Sequence, residues 1–250
     1  GGEVLFGGDR QGLNALIRNA NFIYLGENTK VHADAANNGN GGKVITFAND
    51  SARIYGNLFA RGGVNGGNGG FVETSGLRFL DITKAPDTSA YFGDAGLWLI
   101  DPYNVVIQNN DPADCGGADN CFSTAGSLFS PTGDTTYLTN SLIYSALLLG
   151  DVEINTGSAG TQLGDITFDG FLNYDGIGTT RTLTFTAQND ITFKDGSIIG
   201  DSNNTNSASL TFNIYARGDV KILTDAIRTL NAANLTHVIF DIAVHSHTFV

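Results

Sequence analysis

Between Ala33 and Ile107, short β-type runs alternate with corners built almost wholly from glycine and asparagine. One corner reads Asn38-Gly39-Asn40-Gly41-Gly42, and another, from Gly62 to Gly70, reads GGVNGGNGG. Gly and Asn accept positive φ at little cost, so corners this dense mean repeated sharp bends. The runs between and beyond them are KVITF (Lys43 to Phe47), ARIYG (Ala52 to Gly56), NLFA (Asn57 to Ala60) and FVETS (Phe71 to Ser75). Gly42 to Gly70 is one solenoid coil in length, inside the roughly 20–50-residue window of repeat architectures.

From Gly150 the repeat becomes explicit. Asp151-Val152-Glu153-Ile154, Asp165-Ile166-Thr167-Phe168, Asp190-Ile191-Thr192-Phe193 and Asp219-Val220-Lys221-Ile222 share the form Asp-apolar-x-apolar. Leu183-Thr184-Phe185-Thr186 and Leu210-Thr211-Phe212-Asn213 are interleaved with them. Strict alternation gives each strand one inner face. Stacked in register, Val152, Ile154, Ile166, Phe168, Leu183, Phe185, Ile191, Phe193, Leu210, Phe212, Val220 and Ile222 form apolar ladders along one axis. That is the burial pattern of a parallel β-helix. The fold class is therefore all-β, a β-helical solenoid with loop insertions and a short flanking helix.

Composition narrows the function classes. A net charge of −12 with 13 basic residues argues against nucleic acid and against anionic membrane surfaces. No apolar run approaches the ~18 residues of a membrane span, which argues against membrane insertion. Met is absent even at position 1, pointing to a mature or excised piece. The acidic, Lys-poor, Gly/Asn/Thr-rich balance fits an exported chain.

Three stretches, ADAANNGNGGKVITFAND, GNLFARGGVNGGNGGFVETSG and GLWLIDPYNVVI, closely resemble the repeat region of large exoproteins of the filamentous-haemagglutinin type. These are the TpsA partners of two-partner secretion in Gram-negative bacteria. The opening GGEVLFGGDRQG fits the same pattern. The resemblance is firm over Gly1 to Ile107, weaker over Gly150 to Leu223 and absent from Asp225 onward. It implies a right-handed parallel β-helix, export through a TpsB-type outer-membrane transporter, and a secreted or cell-surface location. It implies no particular ligand.

Three segments follow: β-helix coils over 1–107, an insertion over 108–149, and further coils over 150–250. In the first, Leu97-Trp98-Leu99-Ile100 is apolar without alternation, so its even residues are expected in the core and its odd ones under a loop or cap. Asp9 to Asn19 reads as polar and irregular, with a helical turn at Leu13 to Ile17. Asp101-Pro102-Tyr103-Asn104 reads as a turn, an account of Asp101 preferred over a catalytic acid. In the insertion, Cys115 and Cys121 are the only cysteines, and an even pair in an exported chain reads as a disulfide. The stapled loop, with Asp114, Gly116, Gly117, Asp119 and Asn120, is either a passive excursion or a rigid recognition loop. Tyr137 to Leu149 predicts a short helix capped by Asn140 or Ser141, with Leu142, Ala146 and Leu149 on one face.

Other candidates have plainer explanations. Asp165, Asp190 and Asp219 would stack about 4.8 Å apart and need solvation, corner hydrogen bonds or Ca²⁺; corner bonding is the expectation. His32 reads as a solvated strand residue, and His237, His245 and His247 do not complete a metal set. Arg217-Gly218-Asp219 spells RGD but coincides with the repeated corner. Asn49-Asp50-Ser51, Asn203-Asn204-Thr205 and Asn234-Leu235-Thr236 are N-x-[ST] sequons, of which the one holding Asn204 is the glycosylation candidate. No cofactor, metal or catalytic set is indicated.

The function expected is an adhesin or extended structural shaft, with a host or bacterial surface protein or glycan as partner. Alternatives are capture of a host haem-carrier protein, a polysaccharide-active β-helix enzyme, and a self-assembling extracellular filament. The apolar C-terminal run, Thr236 to Val250, would leave a strand edge open to end-to-end self-association.

Overall fold

The computed structural model describes residues 1–109, 133–158, 162–200 and 210–223, and the backbone of a strand at Val238–Ile239. The opening coil holds β1 (Glu3–Phe6), β2 (Ala20–Leu25) and β3 (Lys30–His32), and the next holds β4 (Lys43–Ile54) and β5 (Asn57–Phe59). Then come β6 (Phe71–Gly76) with β7 (Phe79–Ile82), and β8 (Leu97–Ile100) with β9 (Asn104–Gln108). Strand β10 (Thr135–Thr139) leads into the helix α1 (Asn140–Leu147). The coils resume with β11 (Asp151–Asn155), β12 (Ile166–Asp169) and β13 (Phe171–Asn173). They continue as β14 (Arg181–Ala187), β15 (Ile191–Phe193) and β16 (Ile198–Gly200), then β17 (Leu210–Ala216), β18 (Val220–Ile222) and β19 (Val238–Ile239).

Stacking these coils gives a parallel β-solenoid with one helix on its flank. The first face runs β1-β4-β6-β8-β11-β14-β17-β19. On the second face β2 and β7 flank the later half of β4, and a separate sheet runs β10-β9-β12-β15-β18. The third face carries the pairs β3-β5 and β13-β16. KVITF and ARIYG, expected as separate runs, are one strand that rounds a corner without losing its partners.

The corner before the first face sets the stack. Gly42 N–H closes its own coil onto the Ala33 carbonyl at 2.6 Å; Gly70 does the same to Ala60 and Gly96 to Thr88, each at 2.7 Å. Each glycine carbonyl then accepts from the next coil: Gly42 from Phe71 N–H, Gly70 from Leu97 N–H and Gly96 from Asp151 N–H, at 2.9–3.0 Å. A Cβ on Gly70 would be driven into the Gly42 carbonyl, and one on Gly96 into that of Gly70. These glycines are required by close backbone approach, not by positive φ.

Register follows from that corner. Val44, Val72, Trp98, Val152, Leu183 and Phe212 align across the first face and point inward. Trp98 Nε1–H is satisfied inside the core by Thr74 Oγ1 at 3.0 Å. Further on, Phe168, Phe185, Phe193 and Phe212 pack with ring centroids 5.0–6.5 Å apart. Each such ring removed from water contributes about 1.5–3 kcal/mol. The expected ladders are buried except at β18, where Val220 is half-buried and Ile222 is 41% exposed. Among the described residues β18 ends its sheet, so one side lacks a covering rung.

The corner acids are resolved by hydrogen bonds, as expected. Asn104 Oδ1 accepts from Asp165 N–H at 2.9 Å, Asp165 Oδ1 from Asp190 N–H at 3.2 Å, and Asp190 Oδ1 from Asp219 N–H at 2.7 Å. Asn40, Asn68 and Asp94 repeat the device on another corner. Two local readings need correction. Tyr137–Thr139 belongs to a strand, and the helix begins at Asn140 with Thr139 as its cap, whose Oγ1 accepts from Leu142 N–H. Near the N-terminus the turn expected at Leu13 to Ile17 narrows to Asn14–Ile17, closed by Ile17 N–H on the Asn14 carbonyl at 3.0 Å, and a second tight turn stands at Arg10–Gly12 with Gln11 and Gly12 at positive φ.

Gly96→Ala is expected to lower stability in urea unfolding by about 1–3 kcal/mol, because the added methyl meets backbone that has to shift. Gly178→Ala, where a Cβ meets open space, is expected to stay within about 0.5 kcal/mol of wild type.

Candidate functional site

Among the described residues the regular stack is interrupted at one level. On the first face β8 pairs directly with β6 and with β11. On the second face β10 follows β9 in sequence yet pairs with its N-terminal side, packing next to β7. The chain thus steps back one rung. Contact between β7 and β10 is made partly by a side chain: Leu80 N–H donates to the buried Thr136 Oγ1 at 3.0 Å. Arg78 clamps the joint, bonding Asp50 through two nitrogens at 2.8 and 3.1 Å and Asp134 at 2.7 Å. Burial opposes the charged form of Asp50, but the Arg78 guanidinium and Ser51 hydroxyl hold its carboxyl below the ordinary value.

Helix α1 then takes the place of a third-face strand. It buries Leu142, Ile143, Ala146 and Leu147 against the coils. Tyr144 hydroxyl ties it to the Asp175 carbonyl at 2.6 Å, and Arg181 Nε–H caps its C-terminal end at the Leu147 carbonyl at 3.0 Å.

A helix cannot stack on a strand edge as closely as another strand, so a groove of about 460 Å³ opens between 81–85 and the β10–α1 unit. Ile82, Ala85, Leu142 and Leu149 supply apolar surface, and Asp81, Lys84, Tyr137, Thr139, Ser141 and Ser145 supply polar groups. Asp81 accepts from the Tyr55 hydroxyl at 2.5 Å, and burial with that bond pushes the Tyr55 phenol upward. Arg53 is aligned between Tyr24 and Asp81 across the strands, and Asp81 bears on its charge. The groove therefore joins hydrogen-bonding groups of both kinds to an apolar floor, the make-up of a site that orients a polar ligand. Among the described residues lining it, Asp81 is the one carboxylate, so hydrolysis by paired carboxylates gains no support there.

The sequence candidates fall elsewhere. Cys115, Cys121 and the loop residues Asp114, Gly116, Gly117, Asp119 and Asn120 lie outside the described residues, as do Asn204, Asn234, His237, His245 and His247. His32 is an exposed strand residue stacked on Phe59 at 4.4 Å, its Nδ1 2.8 Å from Asp34. Burial works against the Asp34 charge, but Arg61 and His32 overcome it and hold the carboxyl at about 2. Arg217-Gly218-Asp219 is built into the corner, with all three N–H groups donating to the preceding coil. Asp101 is buried beneath the loop 7–19, its Oδ2 accepting from Gln11 Nε2 at 3.1 Å. The groove residues gave no separate sequence signal, because their meeting depends on the backward step of β10.

Among the described residues no group of three His, Cys, Asp or Glu is placed to hold a metal, and no helix is long and apolar enough to cross a membrane. No family model matches the chain, and no curated protein matches it.

Thr136→Val keeps shape but leaves the Leu80 N–H without its acceptor. It is expected to cost about 1–3 kcal/mol and to raise hydrogen exchange at Leu80, with Phe185 in the distal coils unchanged.

Proposed function

We propose that this protein is part of an exported, extended β-helical shaft of the filamentous-haemagglutinin type that carries recognition on its flank. The observation that carries this reading is the groove at the backward-stepping rung, on a solenoid whose first face continues past it unbroken. A shaft of this kind serves reach, since each coil adds length through contacts with its neighbours alone. Loops and insertions on such a scaffold are where binding concentrates. Export and an outer-membrane transporter partner rest on the resemblance of the Gly/Asn corners and of the VETSG and DPYN stretches. The partner proposed is a surface glycan or protein, met by the groove and by the neighbouring insertion that contains Cys115 and Cys121.

A glycan and surface-protein array probed with the whole chain tests this reading. Binding is expected for the wild type, with at least about a tenfold loss in Ser145→Trp, which fills the groove. Loss in Cys115→Ser/Cys121→Ser alone would move recognition to the insertion. An array on which none of the three proteins binds would leave a shaft without flank recognition.

A further inference from the structure

The loop 7–19 leaves the solenoid after β1 and re-enters it at β2. Its neck is closed by Ala20 N–H donating to the Gly7 carbonyl at 2.6 Å. Between these points it lies on the outer side of the first face. Gly8 and Gly12 sit so close to the Phe47 ring that a Cβ at either would strike it. The Arg10 guanidinium lies 5.0 Å from the centre of the Phe71 ring. Ile45, Phe47 and Leu99 are buried although they stand outside the continuous core. Glu73 interrupts this outer row, aligned with Ile45 on one side and Leu99 on the other. Asp101 lies two residues beyond Leu99. Both carboxylates are buried, Glu73 at 0% exposure and Asp101 at 5%.

The loop reaches both acids through one residue. Gln11 N–H donates to Glu73 Oε1 at 2.8 Å, and its Nε2 donates to Asp101 Oδ2 at 3.1 Å. Gln11 holds this pose at φ 53, a left-handed conformation that costs a residue with a Cβ. Ser75 Oγ–H also donates to Glu73 Oε1 at 2.8 Å. Glu73 Oε2 is buried with no partner, and an unpartnered buried oxygen disfavours the charged carboxylate.

Burial pushes Glu73 up to about 7, opposed by the Gln11 and Ser75 bonds and by Arg10 and reinforced by Asp101. Burial likewise lifts Asp101 to about 6, against the Gln11 bond and with Glu153 adding to the rise. Tyr103, beside Asp101, is also raised, first by its own burial. Lys43 is engaged by Glu3 and Asp9.

We propose that residues 7–19 form a proton-controlled flap, docked while Glu73 and Asp101 hold protons and released as both ionise, uncovering the apolar row Ile45, Phe47 and Leu99. The sign follows from linkage. The docked form binds these protons more tightly than an open form with solvated carboxyls. Docking is therefore fully favoured below the ordinary carboxylate range near pH 4 and is lost as pH rises through about 7. The flap stands independently of recognition at the groove.

Hydrogen exchange on the whole chain at pH 5 and pH 8, corrected for the intrinsic pH dependence, tests it. Protection at Gln11 and Ala20 is expected to fall at least about tenfold at pH 8 while Phe185 keeps its protection. Glu73→Gln is expected to keep the flap protected at pH 8. Asp101→Asn, expected to do so in part, serves if the first variant does not fold. Equal protection at both pH values in wild type, or the wild-type loss in every folded variant, would overturn the proposal.

Discussion

The structure depends on how closely successive coils approach at the glycine corner. At Gly42, Gly70 and Gly96 the N–H closes one coil while the carbonyl accepts from the next, so a single residue sets both the circumference and the stacking. No side chain fits between these backbones. Once that corner is pinned, a slip of one residue would turn every side chain of a strand to the other side, so the corner also fixes what is inside. Val72 and Trp98 face the core because Phe71 and Leu97 are bonded to the preceding glycine carbonyls. The outer row Ile45, Glu73 and Leu99 follows from the same registration.

This explains which features were legible in the sequence. The unalternating LWLI run called for core packing on its even residues and a cover on its odd ones. Trp98 and Ile100 lie in the core, Leu99 is buried outside it between Glu73 and Asp101, which the loop 7–19 contacts, and Leu97 is only half-buried. The cover comes from far away in the chain, so nothing local identified it. Glu73 was missed for a related reason. Within FVETS it reads as the polar member of an alternating strand. Only alignment of the coils at Gly42, Gly70 and Gly96 places it between Ile45 and Leu99, where a charge is out of place. The turn reading of Asp101 had the same gap, since the loop that buries it is as remote.

The insertion shows the opposite limit. Thr136, Leu138 and the following Leu142 and Ile143 are all buried, so their apolar spacing runs from a strand into a helix without a break in hydrophobicity. The boundary is set by Thr139, whose hydroxyl bonds Leu142 N–H and diverts the chain from extended to helical backbone. That β10 returns to the near side of β9 has no local signature. It is specified by β7, whose Leu80 N–H needs an acceptor that Thr136 supplies.

The two outer surfaces therefore serve different ends. The first face cannot admit an extra rung, because the Gly70–Leu97 and Gly96–Asp151 bonds leave no gap between coils. Its variation is confined to what lies on top, and there the loop 7–19 covers apolar residues together with two acids. Among the described residues the strands β9, β10 and β12 of the second face are not pinned by such a glycine stack, and that side takes in a strand and a helix. An insertion on that side changes the shape of the flank without disturbing the axis. A solenoid built this way can lengthen by coils and acquire binding surface by lateral insertion, because separate sets of backbone bonds govern the two.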